Sequence, residues 1–232
     1  MDTLVYNGKA FAEFNTFFDG SKAFNTGEKD YEFYEILGRN GSLSSFNGRY
    51  RDVALSFPCF IRHNFIQNYR ALETFLNSTE GYLRLETSKE PNHYRKALFQ
   101  GIVDPTTTPF NHGVLFTIEF KAHPQRWLKS GEIWIPFNEA GSLHNPTLQT
   151  ARPIIRIYGT GSVMIGSQTI TVTTAGTNYI DLDCETMDAY EGAYNRNANI
   201  QTGFEQIGLH PGTNGITLNG VTVEIMPRWF EI

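Results

Sequence analysis

Cysteine is scarce in this chain of 232 residues: Cys59 lies inside an apolar stretch and Cys184 in Ile180 to Glu185, far apart in sequence. Two distant cysteines exclude the dense disulfide framework of a secreted mini-domain. There is no Gly-Xaa-Ser-Xaa-Gly elbow, no His-Glu-Xaa-Xaa-His and no Cys-Xaa-Xaa-Cys, so the common hydrolase and zinc signatures are missing. Gly159-Thr160-Gly161 is followed by Met164 where a dinucleotide loop has its third glycine, and it reads as a tight hairpin. The six histidines are scattered, and neither His63 nor His93 has a second ligand at helical or strand spacing. No run approaches the roughly 20 apolar residues that span a bilayer. Residues Met1 to Ala10 show no basic segment followed by an apolar core, so neither a cleaved signal nor membrane insertion is expected. No catalytic residue, metal ligand or cofactor site is expected.

Cations thin out along the chain. Residues 1 to 130 carry 15 Lys and Arg against 14 Asp and Glu, whereas residues 131 to 232 carry 4 against 10. The shift supports a domain boundary near Gly131, giving domains 1–130 and 131–232, and makes the second a poor ligand for a phosphate backbone.

What the chain has is aromatic residues and period-two patterns. Its 18 Phe, 11 Tyr and 3 Trp exceed what a core of this size needs, so some are expected to face a partner. Val114, Phe116, Ile118 and Phe120 alternate with polar positions, as do Val53, Leu55, Phe57, Cys59 and Ile61, each marking a strand with one buried face. Pro58 suggests an edge or a bulge. Leu4 to Phe11 reads as a first strand, and Asn40-Gly41 marks a turn after the Tyr31 to Leu37 strand. Ile66, Tyr69, Leu72, Phe75 and Leu76 form one stripe on an amphipathic helix near 64–77. After Trp127 come short strands with turns between them, including separate strands at Pro153–Tyr158, Ser162–Ile165, Gly215–Leu218 and Val221–Ile225; Asn219-Gly220 marks a final hairpin. The fold class is mainly β with one helix. The last strand, Val221 to Ile232, has the option of returning to the first domain.

Two binding readings follow from the second half. Asp181, Asp183, Glu185 and Asp188 can hold a hard cation such as Ca²⁺; the alternative is that Asp181 and Asp183 are the outward positions of a strand whose inward ones are Ile180, Leu182 and Cys184. Tyr158, Tyr179, Tyr190, Tyr194 and Phe204 can form an aromatic sugar-binding groove, or serve as core.

Several short motifs, in order, carry a resemblance that covers nearly the whole chain. They are Gly38-Arg39-Asn40-Gly41-Ser42-Leu43, Asp104-Pro105 as a turn, and Phe120-Lys121-Ala122-His123-Pro124-Gln125-Arg126-Trp127. Further along come Asn145-Pro146-Thr147, Ala151-Arg152-Pro153-Ile154, Tyr158 to Ser162, Tyr179-Ile180-Asp181, Pro211 to Asn214 and Pro227-Arg228-Trp229. Together they resemble the distal tail protein (Dit) family of long-tailed siphophages. The resemblance implies a virion structural protein at the tail tip, made in the host cytoplasm and without enzymatic activity. It implies an N-terminal, β-sandwich-like domain that forms a homo-hexamer ring, and a galectin-like β-sandwich outside it. Such a ring is the baseplate hub that joins the major tail tube protein to the tail-associated lysin or tail-tip protein, and DNA passes its channel without specific binding. A free-standing carbohydrate-binding module that contacts the host cell wall is the alternative. Arg39 and Asn40, on the glycine-flanked loop, and Pro124, Arg126 and Trp127, in the exit peptide, are the candidate interface residues. Arg39 would sit at a subunit contact, or be a solvated turn residue; the 121–128 peptide would fix the second domain against the ring.

Overall fold

A computed structural model describes residues 2–19, 25–108, 112–175, 178–201 and 207–232. The chain is mainly β, with one α-helix among the described residues, and divides into two compact units, Met1–Arg126 with Ile232 and Trp127–Glu231.

The first unit contains β1 (Leu4–Tyr6), β2 (Lys9–Ala10), β3 (Thr16–Phe18), β4 (Lys29–Tyr34), β5 (Leu43–Tyr50), β6 (Val53–Ile61), α1 (Phe65–Asn77), β7 (Leu83–Thr87), β8 (His93–Thr107) and β9 (Val114–Ala122). Its main sheet has the order β2-β1-β7-β8-β9-β6-β3. A single bridge from Asp2 to Phe18 brings the start of the chain back beside β3, so the sheet curls around its core. The alternating apolar residues of β6 and β9 point into that core and are buried, as their period requires. Among the described residues strand β4 pairs only with β5, in a two-stranded sheet of its own.

Helix α1 packs through Leu72 and Leu76, both fully buried, with Phe75 stacked on Phe14 at 5.8 Å and Tyr69 edge-on to Phe116 at 5.3 Å. The expected stripe is wrong at its first residue. Phe65 packs against the core and Ile66 faces out, which continues the 3.6-residue period from Tyr69 more closely. Leu4 to Phe11 is not one strand either: Asn7 and Gly8, at φ 49° and 76°, make a two-residue turn that joins β1 to β2. Asp104-Pro105 is no turn but part of a register shift between Val103 and Thr106 in the long strand β8, with Asp104 at φ 51°. Pro58 makes no bulge, because the β6–β9 register runs unbroken from Val53 to Ile61; it lies where the pairing of β6 with β3 stops.

The second unit begins within β10 (Arg126–Leu128) and continues with β11 (Ile135–Phe137), β12 (Gly141–Asn145), β13 (Ile154–Ile165), β14 (Gln168–Val172), β15 (Ile180–Asp183), β16 (Asp188–Glu191), β17 (Tyr194–Asn195), β18 (Ile200–Gln201), β19 (Gly212–Met226) and β20 (Phe230–Glu231). The two hairpins expected at Gly159-Thr160-Gly161 and Asn219-Gly220 do not exist. Strands β13 and β19 run straight through these glycines and pair with each other, with a register shift between Gly159 and Ser162. Before the shift β13 also pairs with β15, and after it with β14; β19 likewise passes from β12 to β11. The glycines allow the two strands to touch at that corner. A Cβ on Gly161 would lie 2.0 Å from the Asn219 carbonyl oxygen, and one on Gly220 2.8 Å from that of Thr160. Residues Val221–Met226 pair within this unit, and only Ile232 groups with the first.

Candidate assembly surface

The hairpin β4–β5 is anchored by charge at its base. Asp30 is buried and accepts hydrogen bonds from Arg49 Nε at 2.7 Å and from Arg51 Nε and a terminal nitrogen at 3.0 and 2.8 Å. The Arg49 and Arg51 guanidiniums hold its carboxyl down to about 2. Gly48, at φ 73°, lies in the stretch where the register shifts between Lys29 and Tyr31.

Above this clamp the hairpin is apolar and uncovered. Tyr31 lies opposite Phe46 with ring centroids 5.4 Å apart, Phe33 follows Tyr31 at 6.1 Å, and Phe46 meets Tyr50 at 6.1 Å. The opposite face carries Tyr34, whose hydroxyl donates to the Glu32 carboxylate. Phe33 is 67% exposed and Leu37, in the connecting loop, fully so; Tyr34, Ile36, Leu43 and Phe46 are exposed as well. A lone two-stranded ribbon is marginal in water. Exposed apolar side chains grouped in one such element mark an interaction surface.

Arg39 and Asn40 sit together at the tip of this hairpin, both exposed. The other three interface candidates lie elsewhere; Pro124 and Arg126 are half-buried and Trp127 is buried. Arg126 is ion-paired with Glu90 at 3.0 Å, Trp127 is buried with its ring 5.3 Å from that of Phe230, and Pro124 packs so closely on Gly27 that a Cβ there would come within 2.6 Å. Nothing local distinguishes Asp30 from the neighbouring acids of its strand, so the clamp is not legible in the sequence.

In the second unit Asp181 and Asp183 lie on the face of β15 opposite to its core residues Ile180 and Leu182, as alternation places them, but that face is covered. All four residues of β15 are buried: Ile180 and Leu182 in the core, Asp181 and Asp183 beneath the arginines that bind them. Asp181 is directly opposite Arg156, which binds it in fork geometry at 2.7 and 2.9 Å. Asp183 receives two hydrogen bonds from Arg228 at 2.6 and 3.0 Å. Burial opposes ionisation of Asp183, but Arg228 and the Glu185 and Thr186 amides outweigh it and lower its pKa. Arginines thus occupy the carboxylates of the acidic run, and among the described residues no three His, Cys, Asp or Glu side chains group to hold a metal.

The aromatics proposed for sugar binding divide. Tyr158 and Tyr179 pack edge to face at 6.2 Å, with the Arg156 guanidinium 4.2 Å from the Tyr179 ring. Tyr194 is exposed and, with Asn178, Tyr179, Glu191, Gly192 and Arg196, lines an open cleft of about 540 Å³. Glu191 in this cleft is held by Arg196 and the Asn178 amide. Phe204 lies outside the described residues. Both cysteines are free and buried; burial pushes the Cys184 thiol up to about 12 and raises that of Cys59 as well. No described helix is long and apolar enough to cross a membrane.

No sequence-family model and no curated protein sequence matches the chain. Among solved structures it is similar to the SPP1 Dit protein, described as a paradigm of hub adsorption apparatus in phages that infect Gram-positive bacteria. The likeness covers 100% of both chains, with a TM-score of 0.75 and 12% identity. It is also similar to a chain of the phage P2 baseplate in its activated conformation, solved with Ca and with Sr, over 97% of both chains at a TM-score of 0.54 and 10% identity. At such identities the likeness lies in the backbone path: the chain has the mainly β fold of the SPP1 Dit protein.

Proposed function

We propose that the chain is a structural protein of a phage tail, a distal tail ring that serves as the baseplate hub and joins the tail tube to the tail-associated lysin or tail-tip protein. The observation that carries this reading is the fold it shares with the SPP1 hub protein over the full length of both chains. The uncovered aromatic hairpin supports the ring. A closed ring brings together two different patches on each copy, and an exposed apolar element on a charged base supplies one of them. In this reading the first unit forms a hexameric ring through which DNA passes without specific binding. The second unit is a galectin-like sandwich on its outside, and the role is structural and not enzymatic.

Light scattering after size exclusion, over a range of protein concentrations, tests it. The expected result is a particle about six times the 26.3 kDa chain mass, with six-fold symmetry in negative stain. A mass of one chain at every concentration overturns the ring. The alternative, a carbohydrate-binding module, has one observation in its favour, the cleft beside Tyr179 and Tyr194; retention of a monomer on a cell-wall polysaccharide column would support it.

A further inference from the structure

If the hairpin is one half of a subunit contact, the structure also holds a surface suited to be the other half. On the outside of the curled sheet, Phe17 of β3 lies directly opposite Phe60 of β6, and Phe60 directly opposite Leu115 of β9. Their neighbours on either side in each strand point into the core. The three side chains therefore form one row across adjacent strands, with Phe17 and Phe60 rings 6.0 Å apart and Leu115 51% exposed. An open hollow flanks the row on each side, of about 480 Å³ towards Arg62 and about 330 Å³ towards Asp104, and Phe60 and Leu115 line both.

The charges decide the occupant. Arg62, its guanidinium over the Phe60 ring at 5.3 Å, stands at one side of the row and Asp104 at the other; both are exposed, and neither has an ionic partner among the described residues. The hairpin loop carries the matching pair. Glu35 and Arg39 are exposed, again with no ionic partner among the described residues, and Leu37 stands fully exposed between them. An acid, an apolar residue and a base on one surface face a base, an apolar row and an acid on the other. Such bipolar complementarity fixes the direction of docking as well as its strength.

We infer that the hairpin loop of one copy docks on the Phe17–Phe60–Leu115 row of the next, with Glu35 beside Arg62 and Arg39 beside Asp104. The inference rests on the ring reading and names the surface that completes it. Because donor and acceptor surfaces differ, each copy gives one and receives one, the head-to-tail contact from which rings are made.

Charge exchange and disulfide trapping in the full-length chain test it. Arg62→Glu and Glu35→Arg should each raise the concentration needed for assembly about tenfold or more, and the double variant should recover most of that loss. Leu37→Cys with Leu115→Cys, mildly oxidised, should give a ladder of covalent oligomers on a non-reducing gel. The parent chain should give none, since both of its own thiols are buried. All four positions are exposed, so folding does not depend on them. An oligomer that forms normally with Arg62→Glu and yields no ladder overturns the docking and leaves the ring standing. A parent chain that stays monomeric at every concentration overturns both.

Discussion

In the second unit, the four arginines are all held from within. Arg152 donates to the Ile207 carbonyl, Arg156 to Asp181, Arg196 to Glu191 and Arg228 to Asp183. The first unit keeps some charges for itself, as in the Asp30 clamp, but leaves Glu35, Arg39, Arg62 and Asp104 exposed and without ionic partners among the described residues, next to uncovered aromatics. A charge that is already desolvated and paired contributes to its own unit and has little left for a partner. An exposed charge beside an apolar surface does little for the isolated chain and can direct an encounter. The second unit thus turns its arginines inward, whereas the hairpin region leaves charges and aromatics exposed, the condition that the proposed contact needs.

The comparison is broken most directly at Arg228. Its side chain is 15% exposed and that of Asp183 12%, so Arg228→Ala leaves a buried carboxylate without its partner. The expected loss is about 3–5 kcal/mol, confined to the second unit. Hydrogen exchange along a urea series, read on peptides of β13, β15 and β19, would locate it. A loss spread equally over both units, or none, would contradict the division drawn here.

Gly161→Ala sharpens the same side of the comparison through the backbone. The new Cβ would have to displace the facing strand, and the φ of 150° is one that side chains rarely adopt. A cost of about 2–3 kcal/mol is expected, again in the second unit, with β13 and β19 exchanging faster on both sides of the bend. Asn219→Ala, which leaves both glycines in place, serves as the control.

This corner also shows what a sequence can and cannot tell. Glycine-rich pairs mark places where the chain bends, and Gly159–Gly161 and Asn219-Gly220 do mark one. The same residues suit a turn and a bulge in a long strand, however, and only the partner strand, some 60 residues away, decides between them. Period-two alternation located β6 and β9 well because each strand carries its own record of which face is buried. Asn7-Gly8, by contrast, is a hairpin signal legible in the sequence, though its strands, Leu4–Tyr6 and Lys9–Ala10, are too short to show an alternation of their own. Alternation places Asp181 and Asp183 on the right face of β15, away from Ile180 and Leu182, but it does not tell that Arg156 and Arg228, distant in sequence, cover that face. The Phe17–Phe60–Leu115 row was invisible for a further reason. Each member is an ordinary outward residue of its own strand, and only the register puts the three side by side.

On the other side of the comparison, Leu37→Glu should change the stability of the isolated chain by less than about 0.5 kcal/mol, because the side chain it replaces is fully exposed. The same substitution should abolish assembly. If Leu37→Glu unfolded the first unit, the hairpin would be part of the fold and not a surface kept for a partner.

The smallest effect is expected at the clamp beneath that hairpin. Asp30 has its carboxyl held at about 2, below the ordinary 3.8, by Arg49 first and Arg51 second. A carboxyl whose pKa is lower in the folded than in the unfolded chain contributes stability that is fully present above the unfolded value. That contribution is lost as the pH falls through the folded one. The arginines stay charged throughout, so the only group of the three to titrate is Asp30. The hairpin should therefore be insensitive to pH above about 5 and loosen between about pH 4 and pH 2, while the ring pairs Tyr31–Phe46 and Phe46–Tyr50 separate. Carbon-13 observation of the Asp30 carboxyl would show a midpoint near 2 in the parent chain. With Arg49→Gln and Arg51→Gln together, the midpoint should move up towards the ordinary aspartate value. A parent midpoint already near 4 would mean that the two arginines are solvated and the clamp is open, and the hairpin would then stand on strand pairing alone.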